Sequence, residues 1–149
     1  MSNQTNSHVV EELQKVLADT YSLYFKTHSY HWNVEGMHFH TLHAMFEEHY
    51  TEMWQAIDVL AERLRALGAY APANYDEMVT GSRIAKDKTV PDASTMVKNL
   101  TQGHETLIDT LHNALSVAQK EEDEVSADAV LARLEVHEKT LWMLKSLSK

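Results

Sequence analysis

The stretch from His40 to Leu67 contains neither proline nor glycine, and its apolar residues Leu42, Phe46, Met53, Ile57, Leu60, Leu64 and Leu67 recur on a helical period. That pattern predicts one long amphipathic helix and so constrains every later choice of fold. His43 and Glu47 are four residues apart, as are Asp58 and Glu62, and the step from 47 to 58 is about three full turns. All four side chains therefore share one face, together with Trp54 and flanked by Tyr50. The midpoints of the two pairs lie fifteen residues apart in the sequence, which at 1.5 Å per residue is roughly 22 Å along the axis. One ion cannot touch both pairs.

The distance is resolved if a second copy of the helix packs antiparallel across a two-fold axis near residues 52 and 53. His43 and Glu47 of one chain then face Asp58 and Glu62 of the other, giving two identical sites per dimer, as an isologous interface requires. His31 arrives from the preceding helix. Imidazoles and carboxylates together suit Fe(II), Zn(II) or Mn(II), and a set that leaves room for water or oxygen favours iron redox chemistry over a closed structural site. Polar pairs at this spacing are ordinarily a solvated or mutually stabilising face. Trp54 and Tyr50 beside them are what a purely solvated face rarely carries.

The rest of the chain reads as three more helices. The first runs from about Val9 to Val34 and is broken at Gly36; Gly68 and Pro72 end the second. The third starts near Asp92, an N-cap after Pro91, and the fourth near Ser126. Short links make each pair an antiparallel hairpin. Between Gly68 and Pro91 the chain is long enough to cross a bundle, which predicts the single-crossover topology of ferritin-like four-helix bundles. Asn74-Tyr75-Asp76-Glu77 resembles a capping box, so one short extra helix is expected around residues 75 to 80. The whole of 1–149 reads as a single all-α domain, with residues 1 to 7 as a flexible tail.

The run His31-Trp32-Asn33-Val34, Gly36, Phe39, Leu42-His43, Phe46-Glu47, followed by Asp58, Ala61-Glu62-Arg63 and Leu67-Gly68, resembles the Dps family of mini-ferritins, the DNA-binding proteins from starved cells. The likeness extends through the last helix at Leu141-Trp142-Met143. It implies a ferroxidase site between two-fold-related subunits, with His31, His43, Glu47, Asp58 and Glu62 as ligands and catalytic residues. Many members carry Asp where Glu47 stands, so Glu47 is either a direct ligand or one step removed. The resemblance further implies that hydrogen peroxide, and more slowly dioxygen, oxidises Fe(II), that Fe(III) is stored as mineral inside a hollow shell of twelve subunits, and that oxidative stress is thereby relieved. Asp123 and Asp128 fall near the family's acidic three-fold pore. Zn(II) is a competitor at the same ligands. Trp32 and Trp54 serve either as nearby electron donors or as packing.

The ordinary ferritin arrangement, an intrachain centre with Glu-x-x-His on each of two helices, is the natural rival. Here the sole such spacing is Glu35 to His38, interrupted by Gly36. His137 lies on an apolar stripe and reads as a hydrogen-bonded core residue. His8, His49, His104 and His112 read as structural or surface groups, while His28, His38 and His40 crowd the site by sequence and stay ambiguous.

A chain of 149 residues can bury about 68–70% of the surface its unfolded form exposes, enough for one core. It has no cysteine, no signal-like start and no apolar run approaching a bilayer span. The expectation is a cytoplasmic protein that is neither membrane-bound nor associated with the nucleoid. Net charge is −9, and residues 1 to 8 hold no Lys or Arg, which opposes attraction to a polyanion and predicts weak or absent DNA binding. Two functions of different kinds follow: an iron-oxidising storage enzyme, or a non-redox helical oligomer that protects DNA or serves interaction.

Overall fold

In a computed structural model the described residues run from Asn3 to Lys149, with side chains from Ser7 onward. They form five helices: α1 (Asn3–Asn33), α2 (Phe39–Ala66), α3 (Tyr75–Val79), α4 (Ala93–Lys120) and α5 (Glu124–Leu147), with no strand among them. The four long helices and the short one match the predicted ferritin-like layout. α1 starts at Asn3, inside the span expected as a tail. Apolar periodicity begins at Val9, but nothing from residue 3 to 8 blocks backbone hydrogen bonding, so the helix continues past the last residue that needs burial. Residues 1 and 2 lie outside the described residues.

The expected boundaries have visible causes. Asp92 accepts the Thr95 N–H at 2.8 Å and starts α4. Asn74 accepts the Glu77 N–H at 2.8 Å and starts α3, while the Glu77 carboxylate reaches back to the Ala73 N–H at 3.2 Å. At the end of α2, Gly68 takes φ +93°, its N–H bonds the Arg65 carbonyl and the Ala69 N–H bonds the Leu64 carbonyl, the paired bonds of a Schellman motif. The same bond pattern ends α4, but there Glu122 occupies the left-handed position at φ +58°.

Contacts between helices give the directions. Asn99 meets Tyr30, Thr110 meets Asp19 and Glu121 meets His8, so α4 runs antiparallel to α1. Arg133 meets Glu52 and Asp123 meets Arg63, so α5 runs antiparallel to α2. With α1 and α2 forming a hairpin, α2 and α4 must be parallel, and the segment between them must return the length of the bundle. It is anchored twice. Buried Asp19 accepts from the Arg83 N–H at 2.8 Å, the Ser82 hydroxyl at 3.1 Å and the Thr110 hydroxyl at 2.6 Å. Asp87 accepts from the Tyr30 hydroxyl at 2.7 Å and pairs with Lys26 at 3.5 Å. Ile84 joins the core between these anchors.

Candidate metal centre

Gly36, at φ +114°, turns the chain between α1 and α2 and sets the end of one against the start of the other. His31 and His43 meet there. The Nδ1 of His31 bonds the carbonyl of His43 at 2.7 Å, and the Nδ1 of His43 bonds the carbonyl of His31 at 2.7 Å. A carbonyl only accepts, so both Nδ1 atoms carry hydrogen and each neutral ring presents its Nε2 lone pair outward. The rings stack with centroids 3.8 Å apart and planes 14° from parallel. His31 Nε2 lies 3.8 Å from a carboxylate oxygen of Glu47. That is too long for a hydrogen bond but within reach of a shared ion, since ligand bonds of about 2.0–2.2 Å to each add to slightly more.

Asp58 and Glu62 stand away from this cluster, exposed on the same helix. Among the described residues no group of three or more His, Asp or Glu side chains closes on a common metal position. The chain thus brings together His31, His43 and Glu47 and leaves Asp58 and Glu62 apart. Large apolar side chains are exposed near them: Trp54 is 58% and Val59 59% exposed on α2, and Trp32 is 58% exposed on α1.

Of the ambiguous histidines, His28 packs in an aromatic group, stacked on Tyr50 with centroids 3.9 Å apart and against Trp32 at 4.0 Å. Its Nδ1 meets the Tyr24 hydroxyl at 3.2 Å, and burial, aided by His31, lowers its pKa. His38 and His40 are exposed. Trp54 packs on Tyr24 at 5.5 Å.

Asp123 is buried in the protomer as the N-cap of α5, accepting from the Ser126 N–H and hydroxyl and from Arg63. Burial pushes its carboxyl up, but the Ser126 and Arg63 contacts outweigh this and hold it below its ordinary value. Asp128 is exposed.

The bundle core, where an intrachain two-metal centre would stand, holds a different arrangement. Arg133 grips the Glu52 carboxylate with both terminal nitrogens and reaches His137 Nε2 at 2.9 Å. Guanidinium only donates, so His137 Nε2 accepts, His137 Nδ1–H donates, and His104 Nδ1 accepts at 3.0 Å. His137 is the core histidine its stripe predicted. The His104 partnership was missed, although His104 falls in register with Leu100, Leu107 and Leu111.

Comparison with known proteins agrees with this architecture. The model of the ferritin-like domain matches residues 10–149. The DNA protection during starvation protein 2 of Bacillus anthracis is 36% identical over 141 residues, covering 95% of this chain and 97% of that protein. A Dps protein from Bacillus brevis superposes with a TM-score of 0.95 at 34% identity, with 100% of each chain covered. The DPS protein of Vibrio cholerae O1, described as a member of a broad superfamily of ferritin-like diiron-carboxylate proteins, gives a TM-score of 0.95 at 28% identity, covering 100% of this chain and 94% of that one.

Proposed function

This chain belongs to the Dps branch of the ferritin-like family, and on that premise we propose that it oxidises Fe(II) at sites shared between two subunits and stores the product as Fe(III) mineral. The observation that carries the reading is the divided ligand set. His31 and His43 lock each other's tautomer and offer two free nitrogens beside Glu47, while Asp58 and Glu62 stand roughly 22 Å further along the same helix face. An antiparallel second copy brings Asp58 and Glu62 to His31, His43 and Glu47, and the exposed Trp54, Val59 and Trp32 supply the apolar surface for that contact.

Iron is the substrate. Neutral imidazoles and ionised carboxylates hold Fe(II), and the carboxylate charge favours Fe(III) still more, so the site assists loss of the electron. With hydrogen peroxide as acceptor, two Fe(II), one peroxide and two protons give two Fe(III) and two waters; dioxygen is the slower acceptor. Coupling the two reagents this way removes both before they form hydroxyl radicals, which is the protective role. Zn(II) competes for the same atoms. Trp32 and Trp54 serve first as packing, against His28 and Tyr24 respectively, and second as candidate electron donors. The shell has twelve subunits and resides in the cytoplasm; no helix among the described residues is long and apolar enough to cross a membrane. Of the two aspartates assigned to its pore, Asp128 is free to face incoming cations, whereas Asp123 contributes by capping α5. Net charge of −9 suits cation collection and weakens contact with DNA.

Co-assembly of two defective chains tests the shared site. A His31→Ala/His43→Ala chain and an Asp58→Ala/Glu62→Ala chain each lack complete centres. Mixed dimers rebuild one centre of two, so random pairing of equal amounts restores about one quarter of wild-type Fe(II) oxidation by stopped flow. No recovery in verified mixed assemblies refutes the proposal.

A further inference from the structure

Away from the α1–α2 centre, a cavity of about 240 Å³ opens between α2 and α5. His49 lines it and is only 8% exposed, yet neither of its ring nitrogens has a hydrogen-bond partner. A buried polar atom left unpaired is destabilising unless a ligand takes it up. Met53, one turn further along α2 and 1% exposed, lines the same cavity, and Met143 enters it from α5. His104 also lines it, with its buried Nε2 unpartnered. The hydrogen-bond chain from Arg133 places a proton on that nitrogen, so His104 is a donor there and has no lone pair to offer. The carboxylate of Glu52 is committed to Arg133. What remains for a ligand inside the cavity is the His49 lone pair, two thioethers and the Thr140 hydroxyl, with the Glu48 carboxylate exposed at the lining.

We infer that this cavity binds a soft monovalent metal ion, Cu(I), through one ring nitrogen of His49 and the sulfurs of Met53 and Met143. Thioether and imidazole select Cu(I), whereas hard divalent ions seek carboxylates and water. The cost of transferring an ion into a mostly apolar cavity rises with the square of its charge, which again favours a single charge. Glu48 and Lys139, of opposite charge, are both exposed at the lining, so the donors inside the cavity are neutral nitrogen, sulfur and hydroxyl oxygen. The site is separate from the iron centre and stands whether or not that reading holds.

Anaerobic titration of the intact assembly with Cu(I), in competition with bicinchoninate, tests it. The expected result is about one Cu(I) retained per chain, with sulfur in the first coordination sphere by X-ray absorption. Met53→Leu/Met143→Leu conserves core volume and should weaken Cu(I) binding at least tenfold, while His31→Ala/His43→Ala keeps the sulfur signal. Absence of sulfur scattering in the wild-type protein, or unchanged affinity in the double leucine variant, overturns the assignment.

Discussion

Acid should destabilise this protein through its core before it reaches the surface carboxylates. His104 is 2% exposed, and burial first, then interaction with His49 and the Arg133 guanidinium, pushes its pKa from 6.5 down to about 3. In the unfolded chain the same imidazole takes up a proton near pH 6.5. Above that pH its burial makes no pH-dependent contribution. As the pH falls further, the unfolded state gains a proton that the native state refuses, so stability drops by about 1.4 kcal/mol per pH unit until about pH 3, where the loss levels off. At pH 5 this residue alone removes about 2 kcal/mol per chain, and His137, also held well below its ordinary value by burial first and then by His104 and Arg133, acts in the same direction. Urea unfolding at matched protein concentration between pH 7 and 4.5 measures the slope. His104→Asn keeps an acceptor for the His137 N–H and cannot titrate, so it should be less stable at pH 7 but flatter with pH by up to one proton. Equal slopes in variant and wild type would show that His104 takes up its proton alike in the native and unfolded states, contrary to this expectation.

Asp19→Ala leaves the Thr110 and Ser82 hydroxyls and the Arg83 N–H without their acceptor; a loss of about 2–4 kcal/mol is expected, with faster proteolysis between Gly68 and Pro91 than elsewhere. Glu122→Gly relieves a side chain held at φ +58° and should stabilise the α4–α5 turn by about 1 kcal/mol in urea unfolding. Gly103→Ala would set a Cβ 2.6 Å from Leu23 Cδ1, and the required shift in the α1–α4 contact should cost about 1–3 kcal/mol by the same assay. A neutral outcome there would mean that Leu23 has a vacant rotamer to move into.

Features governed by neighbours in sequence were readable before the structure. The unbroken α2, the caps at Asn74 and Asp92 and the stop at Gly68 depend on bonds spanning a few residues, and each stands where the local pattern put it. The crossover was readable from length alone. Its anchoring was not, because the bonds from Asp19 to Arg83 and Thr110 join residues whose proximity depends on how three segments slide against one another. The His104–His137 bond escaped for the same reason: each residue announces burial, and neither announces its partner. At the candidate metal centre, the face shared by His43 and Glu47 was readable from spacing, whereas the mutual carbonyl bonds of His31 and His43 required the hairpin register.

Those carbonyl bonds have a consequence for the iron binding proposed at this pocket. Because the two imidazoles are clasped by the backbone rather than by an ion, the rotamers are set in advance and binding forfeits little side-chain freedom. A chelator should therefore empty the pocket without melting the hairpin, unlike a zinc finger, whose fold is created by its metal. Loading and unloading become events of exchange on a rigid frame.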